Sequence, residues 1–201
     1  MHQLISIVEE LKNSPIKKIV DSRMGEFESF KQKEGNEIFR ELVFCILTAG
    51  TSAELGIKTI NHLGDVIFEG SEEEIREKLK EVYRFHTIRT GYINEARKSF
   101  KEIDLNHPEV RFHLVKKIKG IGMKEASHFL RNIGRSDYAI IDFHIVDILA
   151  DNGVIQRPKT MTPKKYIEIE KVLRELAEKT GLSLGELDLY LWYKETGKVL
   201  K

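Results

Sequence analysis

A single cysteine, Cys45, among 201 residues means that no disulfide can close within the chain and no cysteine-ligated metal or iron–sulfur cluster can be assembled from it. Cys45 sits inside the apolar run FRELVFCILTA, and a reducing cytoplasm is the expected setting. No stretch approaches the roughly 20 apolar residues that span a bilayer. The N-terminal MHQLISIVEELKNS also lacks a basic segment followed by a long apolar one, so neither membrane insertion nor secretion is expected. Seven histidines form no HExxH or comparable ligand set, and no metal site is expected. Prolines number only four, strand-like alternation is scarce, and no linker, low-complexity tract or internal repeat interrupts the chain.

What is present is helical. With 41% hydrophobic and 32% charged residues the chain reads as a mostly helical globule with an adequate core. Ser71 with Glu74, and Ser183 with Glu186, form capping-box patterns in which hydroxyl and carboxylate satisfy each other's orphan backbone donors. Thr162 before Pro163 marks another helix start, and Gly181 and Gly197 mark C-terminal stops. These signals predict helices over 3–12, 15–33, 36–48, 53–63, 72–82, 87–102, 108–117, 123–133, 143–151, 163–179 and 184–196. An all-α fold follows, with two helical subdomains flanking a cleft. Residues 1–201 are expected to form a single unit in which the N- and C-terminal helices pack together as one lobe.

The overall net charge is +1, yet residues 106–135 carry Arg111, Lys116, Lys117, Lys119, Lys124, Arg131 and Arg135 against only Glu109 and Glu125. This segment, roughly 108–134, reads as helix, Gly-Ile-Gly turn, helix. Gly120 and Gly122 carry no side chains and can adopt positive φ, letting N–H groups at the second helix's start approach a phosphate. Lys116, Lys117 and Lys119 supply sequence-independent attraction to a nucleic-acid backbone. A tight interhelical turn with a solvated basic rim is the alternative. Eighteen residues after Lys124, Asp142 precedes a helical pattern in IIDFHIVDIL, as either a plain helix N-cap or a carboxylate available to chemistry.

KGIGMKEASHFLRNIG together with IIDFHI resembles the helix-hairpin-helix DNA glycosylase superfamily. The stretch YRFHTIRTGYINEAR and the ending DLYLWYKETGKVLK make the chain most similar to the archaeal-type 8-oxoguanine DNA glycosylase/lyases. The resemblance implies a duplex DNA partner containing oxidised guanine, a lesion rotated out of the stack, and Lys124 as the nucleophile at C1′. Strand cleavage 3′ to the lesion by β-elimination would follow. Free lysine titrates at about 10.4, so the attacking amine must first lose its proton, and desolvation, nearby cations and the following helix would favour that loss.

The same resemblance makes Asp142 the carboxylate that stabilises cationic character at the sugar. Trp192, the only tryptophan, and Phe85 are its stacking candidates for the base, each with core packing as the alternative. Asp188 is a candidate acceptor, with a solvated first-turn charge as the alternative, and the resemblance places Lys201 near the pocket through its terminal carboxylate, with a frayed terminus as the alternative. In the loop CILTAGTSAELG, where the superfamily often places Asn or Gln in the gap left by the flipped base, Gly50 stands instead. Thr51 or Ser52 are the substitutes, or else helix caps. No cofactor is expected, a monovalent cation at the hairpin is left open, and a monomer is expected. Two rivals remain on the sequence: a cluster-free endonuclease III-like glycosylase, and a noncatalytic hairpin module needing neither Lys124 nor Asp142.

Overall fold

The computed structural model describes residues 1–201. Twelve α-helices are present: α1 His2–Lys12, α2 Ile16–Ser29, α3 Asn36–Thr48, α4 Ala53–Leu63, α5 Val66–Glu69, α6 Glu72–Val82, α7 His86–Ser99, α8 Val110–Lys117, α9 Met123–Asn132, α10 Phe143–Asp151, α11 Pro163–Thr180 and α12 Leu184–Thr196. The chain contains no strand. It forms two compact units, Met1–Lys31 with Leu130–Lys201, and Gln32–Phe129.

The capping signals do what their chemistry demands. Ser71 Oγ accepts from the Glu74 N–H at 3.2 Å while Glu74 Oε2 accepts from the Ser71 N–H at 2.7 Å. Ser183 and Glu186 repeat the exchange at the start of α12. Thr162 Oγ1 accepts from the Lys165 N–H, and Gly181 and Gly197 close α11 and α12 in the left-handed conformation. Helix ends differ from the sequence expectation where the last turn tightens: α2 and α7 each give way to a short 3-10 turn, Phe30–Gln32 and Phe100–Glu102. The first helix of the hairpin starts at Val110 rather than Pro108, and just ahead of it His107 Nδ1 accepts from the Glu109 N–H at 3.0 Å. The single-turn helix α5 was not anticipated, being too short to show a period.

In the unit Gln32–Phe129, α3 is the central helix, buried on every residue from Glu41 to Thr48, and α4 and α7 pack against it. Phe39, Phe68, Phe100 and Phe129 meet in tilted and edge-on pairs alongside it. In the other unit α12 packs on α1, α2, α10 and α11, and Val20, Phe27, Leu189 and Tyr190 form a buried cluster.

Between α9 and α10, residues Ala139–Ile141 form a buried strap tied to α11. Tyr166 Oη donates to the Ala139 carbonyl at 2.8 Å and accepts from the Ile141 N–H at 3.0 Å, and Glu170 Oε2 accepts from the Ala139 N–H at 3.1 Å. Tyr166 and Glu170 lie one turn apart, so one face of α11 grips the strap. Replacing Tyr166 with Phe leaves a buried carbonyl and a buried N–H short of a partner. Chemical denaturation should show Tyr166→Phe destabilised by about 1–3 kcal/mol, whereas an unchanged midpoint would mean that the strap is held by packing alone.

Candidate DNA-lesion site

The hairpin is set by contact between one glycine and one ring. Gly120 has φ of +86°, and a Cβ built there would collide with the Tyr92 ring on α7, so both the backbone and the space demand glycine. Gly122 is different: its φ is not positive, and an added Cβ would meet only Glu125 Oε2 at 3.4 Å. Of the two glycines free to adopt positive φ, only Gly120 does so. Gly122 instead precedes α9, and its N–H donates to Glu125 Oε2 at 3.0 Å. That is the backward half of a capping box, and it occupies a donor expected to face phosphate.

Glu125 is a neighbour of Lys124 that the sequence reading counted only as a charge. Its other oxygen, Oε1, lies 4.0 Å from the Lys124 amine, whose side chain is 25% exposed. Lys124, second residue of α9, is thus neither on open surface nor sealed in the core. The signal was available, since Glu three residues after Gly122 sits where a capping carboxylate sits.

The basic stretch divides in two. Arg111 is buried, and its Nη1 donates to Ser127 Oγ at 3.2 Å, while Ser127 Oγ donates to the Met123 carbonyl at 2.8 Å, which ties α8 to the first turn of α9. Arg131 is also buried. Neither belongs to a solvated basic rim, because both guanidiniums are inside. Exposed cations remain at Lys116, Lys117 and Lys119, with Lys117 near Glu102 at 3.4 Å and Lys119 paired with Glu95 at 2.9 Å. Exposed pairs of this kind are worth less than about 1 kcal/mol, so exchanging them for phosphate costs little.

Phe85 occupies the position just before α7, edge-on to Tyr83, with the Arg84 guanidinium 4.3 Å from its ring centroid. The neighbouring loop is held by its carbonyls: Tyr83 Oη donates to Leu47 O at 2.6 Å and Arg89 Nη2 donates to Ala49 O. Gly50 has φ of +74° and open space where a Cβ would be. Thr51 Oγ1 donates to Leu47 O at 2.8 Å, and Ser52 Oγ caps α4 by accepting from the Leu55 N–H at 3.2 Å. Both hydroxyls proposed as gap fillers are therefore engaged within the loop.

In the other unit Asp142 is the N-cap of α10, its Oδ1 accepting from the Ile145 N–H at 3.0 Å. The strap gripped by Tyr166 and Glu170 ends at this residue, which fixes where the carboxylate stands. Phe143, next in the chain, is 68% exposed and stacks on His144 with centroids 3.9 Å apart. His144 in turn meets the Trp192 indole edge-on at 5.1 Å. Trp192 is half-buried on α12, one turn beyond Asp188, so the two share a helix face. Asp188 Oδ2 accepts from Arg131 Nη1 at 2.8 Å, a buried ion pair rather than the solvated first-turn charge that was the alternative. Lys201 lies with its amine 5.8 Å from the Phe30 ring centroid, and Val199 packs on the cluster of Val20, Phe27, Leu189 and Tyr190. No group of three or more His, Cys, Asp or Glu side chains is placed to hold a metal ion, and no helix is long and apolar enough to cross a membrane.

The hairpin geometry separates its two glycines experimentally. Gly120→Ala should lower the thermal midpoint by at least about 4 °C, since strain and collision together exceed about 2 kcal/mol, whereas Gly122→Ala should shift it by less than about 2 °C. Equal shifts in a calorimetric scan would contradict the Tyr92 contact as the reason for glycine at residue 120.

Residues 20–182 match the family model described as 8-oxoguanine DNA glycosylase. An 8-oxoguanine DNA glycosylase/AP lyase of Methanocaldococcus jannaschii is 52% identical, with 98% of this chain and 99% of that protein aligned. Its counterpart in Korarchaeum cryptofilum is 47% identical over 98% of each. The crystal structure of the Methanocaldococcus jannaschii 8-oxoguanine glycosylase/lyase in complex with a 15mer DNA containing 8-oxoguanine superposes with a TM-score of 0.94 at 50% identity, over 99% of this chain and 100% of that one. With a matching fold, a family model spanning most of its length and relatives aligned almost end to end, this chain belongs to the 8-oxoguanine DNA glycosylase family.

Proposed function

We propose that the protein is a bifunctional DNA repair enzyme that excises 8-oxoguanine from duplex DNA and then cuts the strand 3′ to the lesion. The observation that carries this reading is Lys124 at the second position of α9, directly after the Gly-Ile-Gly turn and only partly exposed, in a chain of this family. A hairpin that only gripped phosphate would need no amine there.

Duplex DNA meets the hairpin through Lys116, Lys117 and Lys119 and through the backbone around Gly120, with the α9 N-terminus favouring the phosphate charge. The damaged nucleotide leaves the stack because its glycosidic bond is inaccessible within it. The Lys124 amine, having lost its proton, attacks C1′, and the C1′–N9 bond breaks with its electron pair leaving on the base, which takes up a proton. The sugar ring opens at O4′ and the nitrogen forms an imine with C1′. Loss of a C2′ proton then expels the 3′ phosphate as the C3′–O3′ bond breaks. Asp142 stabilises the positive charge that develops at the sugar as the base departs. Trp192, Phe85, Asp188 and Lys201 contribute to holding the base. The protein acts as a monomer in the cytoplasm and requires no cofactor.

Three measurements follow. Lys124→Gln should lose covalent borohydride trapping on an 8-oxoguanine duplex and at least about 10³-fold in excision rate, while duplex binding persists; trapping that survives would remove Lys124 as nucleophile. Asp142→Asn should slow single-turnover excision by about 10²–10³-fold, and a near-normal rate would reduce Asp142 to its capping role. Lys116→Ala should lower the slope of log affinity against log salt by about one, and an unchanged slope would take the hairpin rim off the DNA.

A further inference from the structure

Arg131 stands seven residues beyond Lys124 on α9 and is built into the start of α12. Its guanidinium, with the side chain 3% exposed, donates from Nη1 to Asp188 Oδ2 at 2.8 Å and from Nε to Asn132 Oδ1 at 3.1 Å, and it lies 4.6 Å from the Phe27 ring centroid. The first turn of α12 makes room for its stem: a Cβ at Gly185 would come within 3.2 Å of Arg131 Cγ, and the Gly185 N–H donates to Ser136 O at 3.0 Å. The Asp188 side chain is 13% exposed, against 3% for its partner.

A buried ion pair is a poor stabiliser in itself. Desolvating two charges costs about as much as their attraction returns, and apolar pairs of similar volume are often as stable or more so. Fixing an acceptor in place is a task that an apolar pair cannot perform. A carboxylate offers about four lone-pair positions, enough to serve more than one donor at once. On the same face of α12, one turn on, is the half-buried Trp192 indole. A flat aromatic surface beside a fixed anionic acceptor suits a planar ring with N–H donors on its edge. The guanine-type Watson–Crick edge, with N1–H and an exocyclic amine, presents such donors, and adenine presents a ring acceptor at N1.

Resting on the reading of the protein as an 8-oxoguanine glycosylase, we propose that Arg131 is a positioning residue for base recognition, holding Asp188 on α12 as the fixed acceptor for the N–H groups on the purine's Watson–Crick edge. Arg131 touches neither the base nor the sugar in this scheme and acts through Asp188. Orientation is the essential element: guanidinium and carboxylate are both planar, and an ammonium at residue 131 would supply charge without the planar fork.

The test compares two duplexes, one with 8-oxoguanine and one with a preformed abasic site, which has no base to recognise. For wild type, Arg131→Met, Arg131→Lys and Asp188→Asn, single-turnover excision on the first is divided into strand cleavage on the second. The ratio of abasic cleavage to excision should rise at least tenfold in Arg131→Met and Asp188→Asn, and by a smaller factor in Arg131→Lys. A structural role alone would lower both activities together and leave the ratio unmoved, which would overturn the proposal. If Arg131→Met fails to fold, the near-isosteric Asp188→Asn and the charge-preserving Arg131→Lys decide the matter by the same ratio. Wild type inactive on both duplexes would instead refute the enzymatic reading, so the two failures are distinct.

Discussion

Tyr92 fills the volume that a side chain at residue 120 would need, and the hairpin is organised around that contact. Gly120 turns the chain at positive φ, and α9 begins three residues later. The helix start, in turn, decides where Lys124 and Glu125 project. Glu125 closes the turn through the Gly122 N–H and brings its second oxygen to 4.0 Å from the amine. A slip of one residue in that start would rotate Lys124 by about 100° around the helix, so the reactivity assigned to the lysine depends on a steric contact made by a residue that does no chemistry.

The carboxylate proposed to complete the chemistry is fixed by a separate device. Asp142 caps α10, and the strap leading to it is gripped by Tyr166 and Glu170 on α11. Capping and catalysis do not compete here, because the bond to the Ile145 N–H uses Oδ1 and a carboxylate has a second oxygen. Buried guanidiniums do similar work: Arg111 ties α8 to Ser127 at the start of α9, and Arg131 ties the end of α9 to α12. Two of the seven basic side chains in the segment are thus internal scaffolding, and the electrostatic attraction assigned to DNA falls to the exposed lysines.

Features governed by local chemistry were legible in the sequence. The capping boxes at Ser71 and Ser183, the Thr162–Pro163 start and the Gly181 and Gly197 stops all act between residues within a turn of each other, and their patterns gave the matching helices closely. Features set by distant partners were not legible. Arg111 and Arg131 look like any basic residues on a helix until Ser127 and Asp188 come into view, 16 and 57 residues away. Gly120 and Gly122 look equivalent in GIG, and the Tyr92 ring on α7 that helps to separate them is remote in sequence. Tyr166, which no local sequence signal on α11 singles out, grips a strap 25 and 27 residues earlier. At Thr51 and Ser52 the modest reading prevailed, since local hydrogen bonds hold both hydroxyls.

The most direct test of the lysine's role is to locate the covalent bond itself. Wild-type protein trapped with borohydride on an 8-oxoguanine duplex would be digested with protease and nuclease, and the modified peptide sequenced by mass spectrometry. The residual sugar adduct is predicted on the side-chain nitrogen of residue 124, within the peptide that follows Gly122. An adduct on Lys119, Lys116 or the N-terminal amine, with residue 124 unmodified, would contradict the account.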